Sequence, residues 1–326
     1  MIRKLAFALL GLIAAATAGA IYVFNDRPSL DAYADLMSPR WDGRPGVTAT
    51  FLGVSTVLIS DGETNLMTDG FFSRPGLWEI ISGEIATDSE RVSEGLAAAG
   101  VHDLDAVIVL HSHYDHAMDA PEVAERTGAV LVGSESTANI SRGWGFPQSQ
   151  MVVPQPGVPL VFGRFTVTMI VSRHLPHGMA EGNIEEPLLP PVGATDYREG
   201  TTYIVHIDHP SGSLAVVGSA GFIEGALTPY ASDVVLLGVG GLSGMTPAYR
   251  RTFHDEVVGR LKPRRVFPIH YDDFTRPLAN PPDLPPRALD DFDLTMAELR
   301  ERSAAGGFSL GLLPVAEPVH LLPSAE

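Results

Sequence analysis

Residues 111–116 have the sequence His111-Ser112-His113-Tyr114-Asp115-His116 and follow directly on an apolar run, Asp105-Ala106-Val107-Ile108-Val109-Leu110. The run has the composition of a buried β-strand, so the polar motif lies at a strand end. His111 and His113, two positions apart, point to the same side of an extended chain, whereas Asp115 and His116 lie beyond the bend. Imidazole and carboxylate groups are metal ligands. The spacing predicts that this loop begins two adjacent metal sites.

The motif resembles the HxHxDH loop of the metallo-β-lactamase-fold hydrolase superfamily, which is matched at all four positions by His111, His113, Asp115 and His116. Residues 51–59 and 66–75 are similar to the opening hairpin and the next turn of one branch of that superfamily. The branch contains ascorbate-phosphate lactonase and N-acyl phosphatidylethanolamine phospholipase D. Gly70 stands where the branch usually has proline. The resemblance extends over about residues 47–275.

The resemblance also implies the remaining metal ligands. Residues 165–174 are similar to the strand that delivers a third histidine, His174, and residues 265–270 to the strand that delivers the last, His270. One ion would then be held by His111, His113 and His174, and the other by Asp115, His116 and His270. His177 is an alternative to His174, or a donor to a substrate oxygen; we prefer His174 because it directly ends the strand.

One position departs from the superfamily. Ser219 occupies the place where an aspartate usually bridges the two metals. A neutral hydroxyl is a poorer ligand for a dication than a carboxylate, so we expect the second ion to be held more weakly or positioned differently. Glu224 could replace the bridge, but a surface or loop role is the preferred prediction for it.

The hydrophobic pattern predicts strands alternating with helices, as in a layered α/β protein. The resemblance selects one such fold, the four-layer αβ/βα metallo-β-lactamase sandwich, which periodicity alone does not distinguish from others. The predicted strands are 47–52, 56–60, 65–67, 105–110, 129–132, 201–207, 213–217, 233–237 and 264–269, and the predicted helices are 89–100, 122–127, 248–261 and 288–303. Beyond its helix, the stretch 276–326 is expected to form a covering tail.

Composition limits the kinds of protein this chain can be. Of its 326 residues, 45% are hydrophobic, enough for a sizeable core, and the formal net charge is −17. An acidic surface repels phosphodiester backbones, and no basic run is present, so we expect no nucleic-acid partner. The absence of cysteine excludes disulfides, a lipid-modified cysteine anchor and thiolate ligands. Every metal ligand must therefore be histidine, a carboxylate or solvent.

The N-terminus has the pattern of an export signal. Arg3 and Lys4 precede a mostly apolar run over residues 5–24, and small residues at positions 16, 18 and 20 fit a cleavage site. The run is also long enough to span a bilayer, so an uncleaved anchor is the alternative. We predict a signal peptide or membrane anchor over residues 1–24 and a single hydrolase domain over residues 25–326, located in the periplasm or anchored outside the cytoplasm.

Two loops are predicted to surround the site. Residues 176–201 follow His174 and form either a lid or a passive surface insertion. Residues 238–244 are glycine-rich, so a ligand can approach their backbone closely.

Several further polar residues have weaker predicted roles. Asp69 either orients a ligand histidine or forms a turn. His254 is predicted on a helix surface. Structural or surface roles are predicted for the other histidines, His102, His206, His209 and His320.

These residues predict a metal-dependent hydrolase. Zinc is the default cofactor for histidine and carboxylate ligands, with Mn²⁺ or Fe²⁺ as alternatives. A coordinated dication activates water at neutral pH, and Asp115 is the predicted catalytic residue that orients this water and moves its proton. The predicted export and the acidic composition of the protein favour a small neutral or lipid-like ester, lactone or amide as the substrate. The alternatives are a phosphodiester substrate and a metal-stabilised binding module without activity.

Overall fold

The computed structural model of the protein describes residues 10, 12, 17–19 and 22–324. Within these residues, no helix combines the length and apolar character needed to span a bilayer. Most of the predicted signal peptide or anchor, residues 1–24, lies outside the described part of the chain.

The first sheet changes from antiparallel to parallel pairing at its centre. Its order is β14-β1-β2-β3-β4-β5-β6, antiparallel from β14 to β3 and parallel from β3 to β6. The strands are β1 (Gly46–Phe51), β2 (Val57–Ser60), β3 (Asn65–Thr68), β4 (Ala106–Ile108), β5 (Val130–Val132), β6 (Met151–Val152) and β14 (Pro318–Pro323).

The second sheet has the same organisation. Its order is β13-β12-β11-β10-β9-β8-β7, antiparallel from β7 to β10 and parallel from β10 to β13. The strands are β7 (Leu160–Phe162), β8 (Phe165–Val171), β9 (Tyr203–His209), β10 (Gly212–Val217), β11 (Val234–Gly238), β12 (Arg265–Ile269) and β13 (Ser309–Leu310).

Helices cover the outer face of each sheet. Between residues 77 and 304 the α-helices are α1 (Leu77–Ser82), α2 (Ser89–Ala98), α3 (Tyr114–Ala117), α4 (Ala120–Thr127), α5 (Glu135–Trp144), α6 (Pro247–Glu256), α7 (Val258–Leu261) and α8 (Phe292–Ala304). Short 3-10 helices lie at Leu30–Leu36, Gln148–Gln150, Ala194–Asp196 and Leu242–Gly244.

Two apolar cores define the layers. One joins the facing sides of the two sheets and continues to α6 and α8, with Ile108, Phe165 and Phe253 among its members. The other lies between the first sheet and α2, α4 and α5, with Val107 and Val123 among its members. The order is thus helices, sheet, sheet, helices, and the predicted four-layer α/β sandwich is confirmed.

Most predicted elements lie where the sequence placed them, with differences at their ends. The predicted helix 248–261 is two helices, α6 and α7, which are divided at Val257, where φ is −97° and ψ is −72°. The strand predicted to begin at residue 201 begins at Tyr203. The sequence analysis missed α1 and α5, and the expected covering tail contributes β14, which pairs with β1. The single-domain assignment of residues 25–326 stays a prediction.

The fold brings the carboxyl ends of strands from both sheets together. The metal loop follows β4, His174 follows β8, and His270 follows β12. The Tyr203 N–H donates to Leu110 O at 2.8 Å, joining the second sheet to the residue that precedes His111. A Cβ at Gly218, just after β10, would lie 2.8 Å from Leu110 Cδ2. Close packing of the sheets therefore requires glycine there.

Candidate metal centre

All six predicted metal-binding side chains converge at this junction. His111, His113 and His174 form one group, and Asp115, His116 and His270 form another, with the ligand atoms of each group within 4.8 Å of one another. All are buried except His174 and His270, which are half-buried. The sequence prediction therefore names the residues that the fold brings together.

In the first group, His113 and His174 each use one ring nitrogen in a hydrogen bond to a backbone carbonyl. The other ring nitrogen is then free to bind a metal. His174 Nδ1 lies 2.8 Å from Leu175 O, and His113 Nε2 lies 3.3 Å from Ala180 O. A carbonyl only accepts, so these nitrogens carry the protons. His113 Nδ1 then has a free lone pair, and it lies 3.1 Å from His111 Nε2. Nitrogens bound to one tetrahedral ion would be about 3.3 Å apart.

In the second group, one carboxylate oxygen is central. Asp115 Oδ2 lies 3.3 Å from His270 Nε2 and 3.5 Å from His116 Nε2. His116 Nε2 is buried and has no hydrogen-bond partner among the described residues. A buried ring nitrogen without a partner loses its hydration, which is unfavourable unless a ligand occupies its lone pair.

The donor set fits a dication in both groups. The first offers three imidazoles and the second offers two imidazoles and a carboxylate, which are combinations that zinc accepts. The buried His116 Nε2, which has no hydrogen-bond partner among the described residues, fits a cation in the second group, and the facing nitrogens of His111 and His113 fit a cation in the first.

The electrostatics keep the imidazoles of the first group and the Asp115 carboxylate in their metal-binding forms. Burial and the neighbouring imidazoles hold the pKa of His111 well below its usual value. Burial lowers the pKa of His174 to about 3 and also lowers the pKa of His113. Burial opposes ionisation of Asp115, but His116 and His270 outweigh it and hold its pKa far below the usual range. The imidazoles of the first group are therefore neutral and Asp115 is charged near pH 7.

Asp69 supports the second group from the end of β3. Its Oδ2 lies 2.7 Å from His116 Nδ1 and 2.6 Å from Ser55 Oγ, and its Oδ1 accepts the Leu110 N–H at 2.8 Å. Asp69 has φ of 55°, so it forms the predicted turn and also contacts the predicted ligand histidine. Burial lowers the pKa of His116, but Asp69 and Asp115 outweigh it and raise that pKa.

Unfavourable backbone conformations cluster around the centre. Val54 and His270 have φ of 51° and 55°, and the His270 N–H donates to Val54 O at 2.6 Å. The Val54 N–H donates to Asp272 Oδ1 at 2.8 Å. A β-branched residue at positive φ is rare, and such strain is concentrated at functional sites.

The glycine-rich loop 238–244 makes room for His270. A Cβ at Gly240 would lie 2.7 Å from His270 Nδ1, so the close approach is to a candidate ligand. Asp290, from the C-terminal stretch, holds the loop by accepting from Gly241 N at 2.8 Å and Ser243 Oγ at 2.6 Å. No sequence pattern identified Asp290.

The loop 176–201, predicted as either a lid or a passive surface insertion, contacts the metal loop directly. Besides the bond from His113 to Ala180, the Ser112 N–H donates to Glu199 O at 2.8 Å. Glu199 Oε1 accepts from the His174 N–H at 3.3 Å and from Thr202 Oγ1 at 2.8 Å. His177 is exposed, and its ring centroid lies 4.5 Å from that of His174. It belongs to neither group of candidate ligands.

Ser219 and Glu224 supply no carboxylate to either group. Ser219 is buried, and its Oγ accepts the Leu175 N–H at 3.0 Å, beside His174. Glu224 is exposed in a turn after β10, in agreement with the predicted surface role.

The remaining histidines are structural or exposed, with one correction. His206 and His209 are buried in β9, and His102 is exposed. His254, predicted on a helix surface, is instead buried at 1% exposure. The prediction was wrong because α8 covers this face of α6, as the ion pair of Arg250 with Glu298 shows.

Comparison with known proteins gives a match over the whole centre. The family model described as "Metallo-beta-lactamase superfamily" matches residues 49–270, which contain all six side chains. A "UPF0173 metal-dependent hydrolase" of Myxococcus xanthus is 31% identical over 180 residues, covering 54% of this chain and 59% of that protein. A protein of the same description from Thermococcus kodakarensis is 27% identical over 252 residues, covering 75% of this chain and 93% of its own length.

Solved structures support the fold. A metallo hydrolase from the archaeon Ignicoccus hospitalis has a TM-score of 0.50 and 18% identity, covering 84% of this chain and 97% of that chain. A mutant of CmlA beta-hydroxylase, a Streptomyces venezuelae protein, has a TM-score of 0.50 and 15% identity, covering 86% of this chain and 55% of that chain. One of these proteins is described as a hydrolase and the other as a hydroxylase, so proteins with this fold catalyse different reactions. The chemistry must therefore be inferred from the site residues.

Proposed function

Because this chain belongs to the metallo-beta-lactamase superfamily and is a metal-dependent hydrolase of that fold, we propose that it cleaves small neutral or lipid-like esters, lactones or amides outside the cytoplasm. The observation that carries the proposal is the pair of converging groups, one of three histidines and one built around Asp115 Oδ2. Zinc is the proposed metal, with Mn²⁺ or Fe²⁺ as alternatives.

The protein's own groups have separate tasks in this reaction. His111, His113 and His174 would hold one ion, and Asp115, His116 and His270 the other. A bound dication supplies Lewis acidity and lowers the pKa of water. Asp115 Oδ2 would accept a hydrogen bond from the attacking water and orient it, because this oxygen is ionised and central in its group, and it would pass the water's proton on to the leaving group. The leaving oxygen or nitrogen then receives a proton as the bond breaks.

Aromatic side chains beside the centre favour an apolar substrate. The ring of Tyr114 packs edge-on against Phe71 and Phe274, with centroids 6.1 and 6.2 Å apart. Phe274 also lies 5.7 Å from His270. Phe71 is fully buried, whereas Tyr114 and Phe274 are half-buried and offer an acyl chain or an aryl group an apolar contact.

Charge argues against a phosphodiester as the preferred substrate. Arg74 interacts electrostatically with Tyr114, beside the metal centre. It is already paired with Asp272 at 2.6 Å, and both side chains are buried. Its charge is therefore neutralised within the protein, and the net charge of −17 repels anions at longer range.

Metal content and a substrate panel test the proposal. Purified protein would be analysed for metals and assayed with an aryl ester, a lactone, a bis-aryl phosphodiester and a β-lactam, with His111→Ala as the inactive control. We expect ester or lactone hydrolysis that a chelator removes and zinc restores. Turnover of the phosphodiester alone would assign the alternative substrate class. Metal binding without turnover on any substrate would indicate a binding module.

Export is tested separately. We propose that residues 1–24 direct the chain to or across the membrane. Fractionation of cells that express the full chain would place the hydrolase in the periplasm or the membrane. A full-length cytosolic product would contradict this part of the proposal.

A further inference from the structure

The helix α1 exposes a group of large apolar side chains. Trp78 is 76% exposed, Ile81 67% and Leu77 43%. None of the helix residues is fully buried. Single exposed apolar residues are common, but three within five positions form a contiguous apolar surface, and such surfaces mark interaction sites. We call Leu77, Trp78 and Ile81 the α1 face.

The segment that precedes α1 contacts the residues around the metal centre. The segment that leads into α1 packs on the metal loop through Phe71, which contacts Tyr114. Arg74, three residues before α1, bonds Asp272 Oδ2 at 2.6 Å and Asp273 O at 3.0 Å. The two aspartates lie two and three residues after His270. The helix is therefore attached to the two loops that carry the second group of metal-binding residues.

Residues 22–24, the described end of the N-terminal apolar run, lead into the domain at this same edge. Arg27 Nη1 lies 2.6 Å from Asp273 Oδ2, and Asp273 is also bonded by Arg74. The residues just before it are exposed, with Tyr22 at 75%, Val23 at 42% and Phe24 at 47%. The chain thus passes from the apolar run to the body of the domain beside the segment that begins α1.

We propose that the α1 face inserts into the headgroup region of a phospholipid bilayer and so holds the attached metal centre close to that surface. Tryptophan is enriched at membrane interfaces, and an exposed apolar helix face lies in the plane of such an interface. This inference rests on the proposed function in one respect, the lipid-like substrate, which would then enter from the bilayer.

The charge of the protein selects the kind of bilayer. The net charge is −17, and Glu79 and Glu84 are exposed on and beside α1. Anionic lipids would be repelled, so the surface fits a zwitterionic bilayer such as phosphatidylcholine. Burial of apolar side chains then drives binding of the α1 face to the bilayer, so the binding affinity changes little with salt concentration.

Fluorescence quenching in vesicles tests the insertion. The full chain would be reconstituted in phosphatidylcholine vesicles with and without brominated acyl chains, and tryptophan emission compared. We expect the bromine to quench the wild-type protein, and Trp78→Phe to lose most of this quenching. Ile81→Ser should also reduce it, whereas Val161→Ser should not. Val161 is a matched control because it is 70% exposed on β7, at the edge of the second sheet.

Unchanged quenching in Trp78→Phe would overturn the proposal, since Trp78 would then lie outside the bilayer. Self-association of the wild type that Trp78→Phe abolishes, without quenching, would assign the α1 face to a second copy instead. Hydrolysis of a water-soluble aryl ester by the same variants separates this inference from the proposed function. Quenching without hydrolysis would refute the proposed substrate class alone, and hydrolysis without quenching would refute the membrane surface alone.

Discussion

His116 Nδ1 lies 2.7 Å from Asp69 Oδ2, and both side chains are fully covered. The carboxylate accepts a hydrogen bond from the ring Nδ1–H. This bond fixes the tautomer of His116 and orients its Nε2 toward Asp115 and His270. Asp69 also accepts the Leu110 N–H at 2.8 Å, so it joins β3 to the residue before the metal loop. A carboxylate in this position raises the basicity of the ligand histidine and restricts its orientation.

Asp69→Asn is therefore expected to weaken the second metal group selectively. The amide keeps the shape but removes the charge that supports His116. We expect metal affinity of the second group to fall about 10- to 100-fold, as for other residues that hold a ligand histidine. Competitive chelator titration measures this loss, with the first ion retained. Asp61→Asn is the control, since the Asp61 carboxylate is equally covered but bonds Arg164. An equal loss in both variants would contradict a local role for Asp69.

The two histidines after β8 are expected to differ when mutated. His174→Ala removes one of three imidazoles, so the first ion and hydrolysis should both be lost. His177→Ala removes an exposed ring that belongs to neither group, so metal content should be unchanged. Elemental analysis of the two purified variants measures the difference. Wild-type metal content in His174→Ala, with loss in His177→Ala, would exchange the two assignments.

The candidate site was more predictable than the surroundings that hold it. The six side chains come from a short motif and two strand ends, so local periodicity and the superfamily resemblance were enough to name them. Asp290 and Glu199 act on the site from distant positions in the chain, within proline- and glycine-rich stretches. A lone acidic residue in such a stretch has no spacing that predicts its partner.

The fold class was predictable from the sequence, but the outer strand β14 and the placement of individual helices were less so. Alternating strands and helices gave the layers, but β14 joins the first sheet beside β1 through pairings such as Val47 with Leu322. Contacts over such a sequence separation depend on tertiary packing. His254 was misplaced for the same reason, because the helix that buries it lies far along the chain. The exposed helix α1 was missed because its apolar residues do not face a core.

The buried His254 should make stability depend on pH. Burial lowers its pKa from 6.5 to about 4, so the unfolded state binds a proton that the folded state does not in this interval. The contribution of His254 to the free energy of unfolding is fully present above pH 6.5. It is lost as the pH decreases toward 4, and the loss is at most about 3 kcal/mol. His254→Leu should remove this part of the pH dependence. Chemical denaturation of wild type and variant between pH 4 and pH 7.5 measures it. Parallel stability curves for the two proteins would refute the assignment.

Ser219→Asp is expected to tighten the second metal group. Ser219 Oγ is buried and accepts the Leu175 N–H at 3.0 Å, beside His174. A carboxylate at this position would restore the anionic ligand that the superfamily resemblance places between the two metals. Its charge also offsets the repulsion between two dications. We expect the wild type to release its second ion at chelator concentrations that leave the first ion bound. The substitution should lower the second dissociation constant by about tenfold, or about 1.4 kcal/mol.

The matched control is Ser219→Asn, which has the size of aspartate without its charge and should leave the second ion weakly held. Hydrolysis is not the decisive measurement, because a more tightly held water is also a weaker nucleophile, so the rate can change in either direction. The titration of bound metal decides. Two equally tight ions in the wild type, unchanged by Ser219→Asp, would mean that another residue already supplies the bridge. The neutral hydroxyl at position 219 would then have no influence on the metal content, and the weaker second site predicted from it would be wrong.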